Sequence, residues 1–153
     1  MIDTEAFSEF KQALALLREH DPVRALAHIR RASELEPQNP YYLSYLGLAL
    51  ARAEHKWAEA ERLCDTAVRM KRNQAQLNLN LAEVYVSAGR REDAVETLAM
   101  GLKYARRDPR LNRALGKLGM RRPPVLRFLG RKNFFNRQLG KLRHQALKHI
   151  QEA

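Results

Sequence analysis

Residues 43–70 read LSYLGLALARAEHKWAEAERLCDTAVRM, and their apolar positions fall into two helical runs, Leu43, Leu46 and Leu50, then Leu63, Ala67 and Met70, with a polar break between them. The stretch is therefore a helix pair. It also recurs on both sides of itself. Ala13, Gly47, Ala82 and Gly116 are 34, 35 and 34 residues apart, and each follows Gln12, Leu46, Leu81 or Leu115 in the same order. Ala25, Ala60 and Ala94 keep that step, as do Ile29, Cys64 and Leu98, and Ala32, Ala67 and Gly101. Small residues at fixed places have a physical reason: a bulky side chain at Ala25 or Ala94 would push paired helices apart.

Helix starts are written as a capping residue followed by proline at Asp21-Pro22, Asn39-Pro40 and Asp108-Pro109, where the missing proline N–H is not needed. Gly89 suits a left-handed helix end, and the 35-residue step of the second unit places its extra residue in the turn near Glu54 to Trp57. No strand pattern competes with these signals.

These residues resemble the tetratricopeptide repeat, a helix pair of about 34 residues, over roughly 6–118. The likeness is carried by Leu46-Gly47 with Leu50, Leu81-Ala82 with Tyr85, the alanines of the second helices and the closing Pro37. The usual early tryptophan is replaced by Glu9, Leu43 and Asn78, and the closing proline by Arg72 and Arg106. The resemblance implies an all-α, right-handed superhelix of antiparallel helix pairs, with repeats at about 6–39, 40–74 and 75–108 and a capping helix at 109–119. A basic extension, 120–153, with a final amphipathic helix would follow.

Proteins similar to this family hold peptides on the concave side, which the first helix of each pair lines. Helical spacing places Phe7, Phe10, Leu14 and Leu17 there, then Tyr41, Tyr45, Leu48 and Arg52, then Gln76, Asn80, Glu83 and Ser87, and last Arg110, Arg113 and Lys117. This face grades from aromatic to basic, so the expected partner is a peptide with apolar and acidic residues. The alternative for Phe7, Phe10 and Tyr45 is ordinary packing between helices. The family's chaperone-binding members clamp a terminal carboxylate with lysine and asparagine. Phe10, Leu14, Tyr45, Gln76 and Asn80 stand at the matching places and supply neither a lysine nor a full donor set, so that mode is not expected.

Charge is unevenly spread. Of the net +11, residues 1–100 carry −2 and residues 101–153 carry +13. Such a basic end calls for an acidic partner. Arg121-Arg122-Pro123-Pro124 stops the capping helix, and Val125, Leu126, Phe128 and Leu129 then alternate with Arg127 and Arg131. From Asn133 an apolar stripe of Phe135, Leu139, Leu142, Ala146 and Ile150 faces away from Arg137, Lys141, Arg143 and Lys148. The helix either packs on the repeats, lies on anionic lipid, touches nucleic acid such as RNA, docks into a partner protein or pairs with its own copy as a homodimer.

Other chemistries lack their spacing. His20, His28, His55, His144 and His149 form no helical pair of metal ligands, no glycine-rich phosphate loop occurs, and Cys64 stands where its sister units have Ile29 and Leu98, as core. No enzyme, metal or cofactor is expected. The first ten residues carry Asp3, Glu5 and Glu9 without an apolar run, and no stretch has the uncharged length of a membrane span, so a cytoplasmic location is expected. The resulting expectation is a non-catalytic interaction adaptor, with nucleic-acid or anionic-surface binding through the basic extension as the alternative.

Overall fold

The computed structural model describes residues 4–105 and 108–119. Among them seven helices follow in order: α1 (Glu5–Arg18), α2 (Pro22–Leu35), α3 (Pro40–Glu54), α4 (Trp57–Met70), α5 (Ala75–Ser87), α6 (Arg91–Tyr104) and α7 (Pro109–Lys117). Each packs on the next, and α3 also lies against α5 and α5 against α7, so the odd-numbered helices line one side. The architecture is an all-α helical-repeat superhelix. The basic segment 120–153 lies outside the described residues, and with it Arg121, Arg122, Arg127, Arg131, Arg137, Lys141, Lys148 and the helix expected from Asn133.

Local chemistry explains where the helices begin. The carboxylates of Asp21 and Asp108 accept from the N–H of Arg24 and Arg110 at 3.0 and 2.9 Å, and the Asn39 side chain accepts from the Tyr41 N–H at 3.1 Å. In all three cases proline opens the helix behind the cap.

The odd helices end alike. His20, His55, Gly89 and Gly119 follow α1, α3, α5 and α7 with φ of 62°, 53°, 76° and 55°, the left-handed region. At Gly89 and Gly119 this conformation is nearly free, whereas at a histidine the Cβ crowds the following carbonyl. Replacing His55 by glycine is therefore expected to raise stability by about 0.5–1 kcal/mol, read as a higher urea midpoint. An unchanged or lower midpoint would show that the His55 ring, 5.2 Å from Trp57, contributes more than the backbone strain removes.

The small residues occupy the tightest contacts. Ala13, Ala25, Ala60, Ala94, Ile29, Cys64, Ala32 and Ala67 are fully buried. A Cβ on Gly47 would lie 2.6 Å from Cys64 Sγ and 2.7 Å from the Ala60 carbonyl oxygen, so α3 and α4 meet closely only because residue 47 has no side chain. Gly101 of α6 sits against Asn78, 3.0 Å from where a Cβ would be.

Two expectations need correction. Gly116 matches the ladder in sequence but is exposed, and nothing lies within 4 Å of its Cβ position, because no further described helix stacks on that side of α7. The extra residue of the second unit is taken up inside α3, which runs on to Glu54, and the turn that follows is only His55 and Lys56.

Candidate functional site: a groove along the odd-numbered helices

Three helices build a hollow of about 230 Å³. α1 supplies Leu14, Leu17 and Arg18, α3 supplies Tyr45, Leu48 and Arg52, and α5 supplies Gln76, Asn80 and Glu83. A second hollow of about 370 Å³ continues from the same Gln76, Asn80 and Glu83 towards α7. It is walled by Leu79, Ala82, Val86, Leu98, Ala114, Lys117 and Leu118. Together they form one groove.

Eight of the residues expected on the peptide-binding face meet here: Leu14, Leu17, Tyr45, Leu48, Arg52, Gln76, Asn80 and Glu83. Their roles differ. Leu48 and Asn80 are floor, buried almost completely. The Asn80 amide donates to Ser44 Oγ at 3.0 Å and its oxygen accepts from Gln76 at 2.9 Å, so its polar atoms are used internally. Arg52 Nε donates to Glu83 Oε1 at 2.8 Å, and the Arg52 Nη2 group meets the same oxygen, which ties α3 to α5.

Tyr45 stands at the centre. Burial pushes its phenol above the usual range, while Arg18, a hydrogen bond with Asn80 and Arg110 pull it down. Tyr45 shares its hollow with Arg18, and a hydroxyl beside a guanidinium suits an incoming carboxylate.

Three expected aromatic residues are placed elsewhere, and Ser87 lines neither hollow. The Phe10 ring packs 4.8 Å from Tyr42 and 5.3 Å from Tyr45, as filling between α1 and α3. Phe7 is exposed beneath the Lys11 ammonium, 5.0 Å from its ring centre, and does not line the groove. Tyr41 donates its hydroxyl proton to Gln74 Oε1 at 2.8 Å and borders a separate cleft with Pro37, Pro40, Met70 and Lys71. Of the α7 cations, Lys117 lines the groove. Arg110 binds the Asp108 carboxylate, with its Nη1 3.3 Å from Gln76 Oε1, and Arg113 reaches the Pro109 carbonyl at 3.3 Å. Sequence reasoning missed Arg18, although it stands one repeat, 34 residues, before Arg52 and the same register could have found it. It also missed the apolar slot at Leu79, Val86 and Leu118, whose walls come from three different elements.

Beneath the groove, the Cys64 thiol donates to the Ser44 carbonyl at 3.2 Å. Burial pushes it up to about 12 from an ordinary value of 9.0. The unfolded chain thus releases a proton near pH 9 that the folded chain holds, and stability should fall as pH climbs from about 9 towards 12. The native protein should resist a thiol reagent at pH 8 until denaturant is added. Rapid labelling without denaturant would contradict this burial.

A tetratricopeptide-repeat family model matches residues 51–118. From the end of α3 to α7 the chain carries the tetratricopeptide-repeat pattern. Solved structures share its fold. The first such domain of Spaghetti (RPAP3), bound to the HSP90 peptide SRMEEVD, superposes with a TM-score of 0.62 at 17% identity, covering 77% of this chain and 95% of that one. The second domain of human RPAP3, in complex with the HSP70 peptide SGPTIEEVD, gives 0.60 at 18% identity over 74% and 94%. The TPR2AB domain of yeast Sti1 gives 0.62 at 17% over 74% and 45%. No curated protein matches the sequence. At these identities the likeness is one of fold, and the groove must be read from its own residues. Among the described residues no helix is long and apolar enough to cross a membrane.

Proposed function

We propose that this helical-repeat protein is a non-catalytic interaction adaptor whose groove takes an extended partner segment carrying both acidic and apolar side chains. Three repeats, at about 6–39, 40–74 and 75–108, with α7 as cap, make the scaffold. The observation that carries the reading is the composition of one continuous groove: Leu14, Leu17, Leu79, Val86 and Leu118 offer apolar surface, while Arg18, Arg52 and Lys117 outnumber the single acidic residue, Glu83. Apolar area supplies affinity and the cations favour acidic ligands in the encounter. The peptide-bound relatives named above support the mode of use. Their peptides are not proposed for this groove, because Phe10, Leu14, Tyr45, Gln76 and Asn80, at the places matching the family's clamp, supply neither a lysine nor a full donor set for a terminal carboxylate.

Panning a random peptide library against the full chain tests this. Enriched peptides should contain Asp or Glu together with Leu, Ile or Phe, and Tyr45→Ala should weaken them by about 1 kcal/mol or more with helix content preserved. Peptides without carboxylates, or binding that survives both Tyr45→Ala and Arg18→Glu, would move the interaction off this groove. The +13 carried by residues 101–153 supports the second reading, nucleic-acid or anionic-surface binding by the basic extension. Capture from lysate that is lost on nuclease treatment, and lost from a chain ending at residue 119, would favour that reading.

A further inference from the structure

The cations of the groove are not equally open to a ligand. Arg18 and Lys117 have no carboxylate partner among the described residues, whereas Arg52, between them, is held by Glu83. Both members of that pair keep substantial exposure, 33% and 42% of the side chain, so a ligand can reach them. The pair joins helices of successive repeats, and Glu83 belongs to both hollows, at the place where they meet.

A carboxylate fixed beside a guanidinium acts at an effective concentration in the millimolar range or above, far beyond that of a free ligand. Resting on the assignment of this groove as the peptide site, we propose that Glu83 is an internal competitor for the ligand's carboxylates. By occupying Arg52 it keeps the middle of the groove neutral. The site then selects peptides whose acidic residues fall towards its two ends, at Arg18 and Lys117, with an uncharged or apolar residue between them. Glu83 is a specificity-determining residue, and the arrangement differs from a plain basic groove, which would reward any dense run of carboxylates.

The three charge states of the pair give opposite expectations. Glu83→Gln leaves Arg52 a neutral partner and adds one net positive charge to the centre. Arg52→Gln leaves Glu83 unopposed and repels an acidic ligand. The double variant restores the neutrality of the wild type.

The test uses the full chain and a fluorescein-labelled decapeptide of alternating leucine and glutamate, beside the same peptide with glutamine for glutamate, read by fluorescence anisotropy at low salt. Glu83→Gln should tighten the glutamate peptide roughly threefold to tenfold and move the glutamine peptide by less than about twofold. Arg52→Gln should weaken the glutamate peptide by a similar factor, and the double variant should return close to wild type. The basic extension is common to all four proteins, so the differences report the groove. If both single variants weaken both peptides alike, the pair is only a brace between α3 and α5 and the inference is wrong. Unchanged affinity in Glu83→Gln, with wild-type binding that Tyr45→Ala abolishes, removes the inference and leaves the groove as the peptide site. Wild-type binding that Tyr45→Ala does not affect, or no binding, removes both.

Discussion

Gly47→Ala is expected to lower the stability of the fold by about 2 kcal/mol, although the same substitution in an open helix is stabilising. Two effects oppose each other. Alanine in place of a helical glycine gains about 1 kcal/mol from reduced backbone freedom in the unfolded chain and better helix propensity. Against that, the new methyl group would lie 2.6 Å from Cys64 Sγ and 2.7 Å from the Ala60 carbonyl oxygen. Neither neighbour can move cheaply. The oxygen belongs to the backbone of α4, and the Cys64 thiol is fully buried and bonded to the Ser44 carbonyl. Overpacking therefore wins, and α3 and α4 must separate. Gly116→Ala supplies the control, since it lies in α7 with nothing within 4 Å of its Cβ position. It should gain up to about 1 kcal/mol. Urea melts that shift in the same direction for both variants would contradict the packing described for α3 and α4.

Leu111→Ala should have the larger effect, a loss of about 2–5 kcal/mol in the docking of α7. Only Leu111 and Leu115 of this nine-residue helix are buried, Leu111 completely. They pack with Ala75, Ala82, Ala94 and Leu98. A helix this short has little stability of its own, so the loss of its main anchor releases it instead of leaving a cavity. Release also limits the damage: α1 to α4 have their own core around Ile29, Leu50 and Cys64. The expected result is rapid hydrogen exchange at the amides of residues 112–117, with protection kept at Leu48 to Ala51. Because Arg110 and Lys117 leave with α7, an acidic peptide should bind more weakly than in the wild type. Unaltered protection of α7 would mean that something other than Leu111 holds it.

Much of the fold was legible because its signals are local or strictly periodic. Asp21, Asn39 and Asp108 cap helices where a polar residue precedes proline, and a cap acts within three residues of itself. The alanines at 25, 60 and 94 are fully buried where the repeat placed them. The histidines at 20 and 55 hid a regularity, since the left-handed turn they share with Gly89 is usually announced by glycine.

The amino-acid sequence by itself determined the helices and their pairing, since both follow from residue types at helical and repeat spacing, and it offered one face of the odd-numbered helices as a candidate groove. Tertiary structure alone decided which side chains on that face remain open. Phe10 is consumed by Tyr42 and Tyr45, and Tyr41 is drawn aside by Gln74. Arg52 is neutralised by a glutamate from the next repeat, and Gly116 has no neighbour to make room for. The physical reason is the same in each case: helical periodicity sets the direction of a side chain, but whether it ends in solvent, in an aromatic contact or on an opposite charge depends on atoms supplied by other helices about 30 residues away.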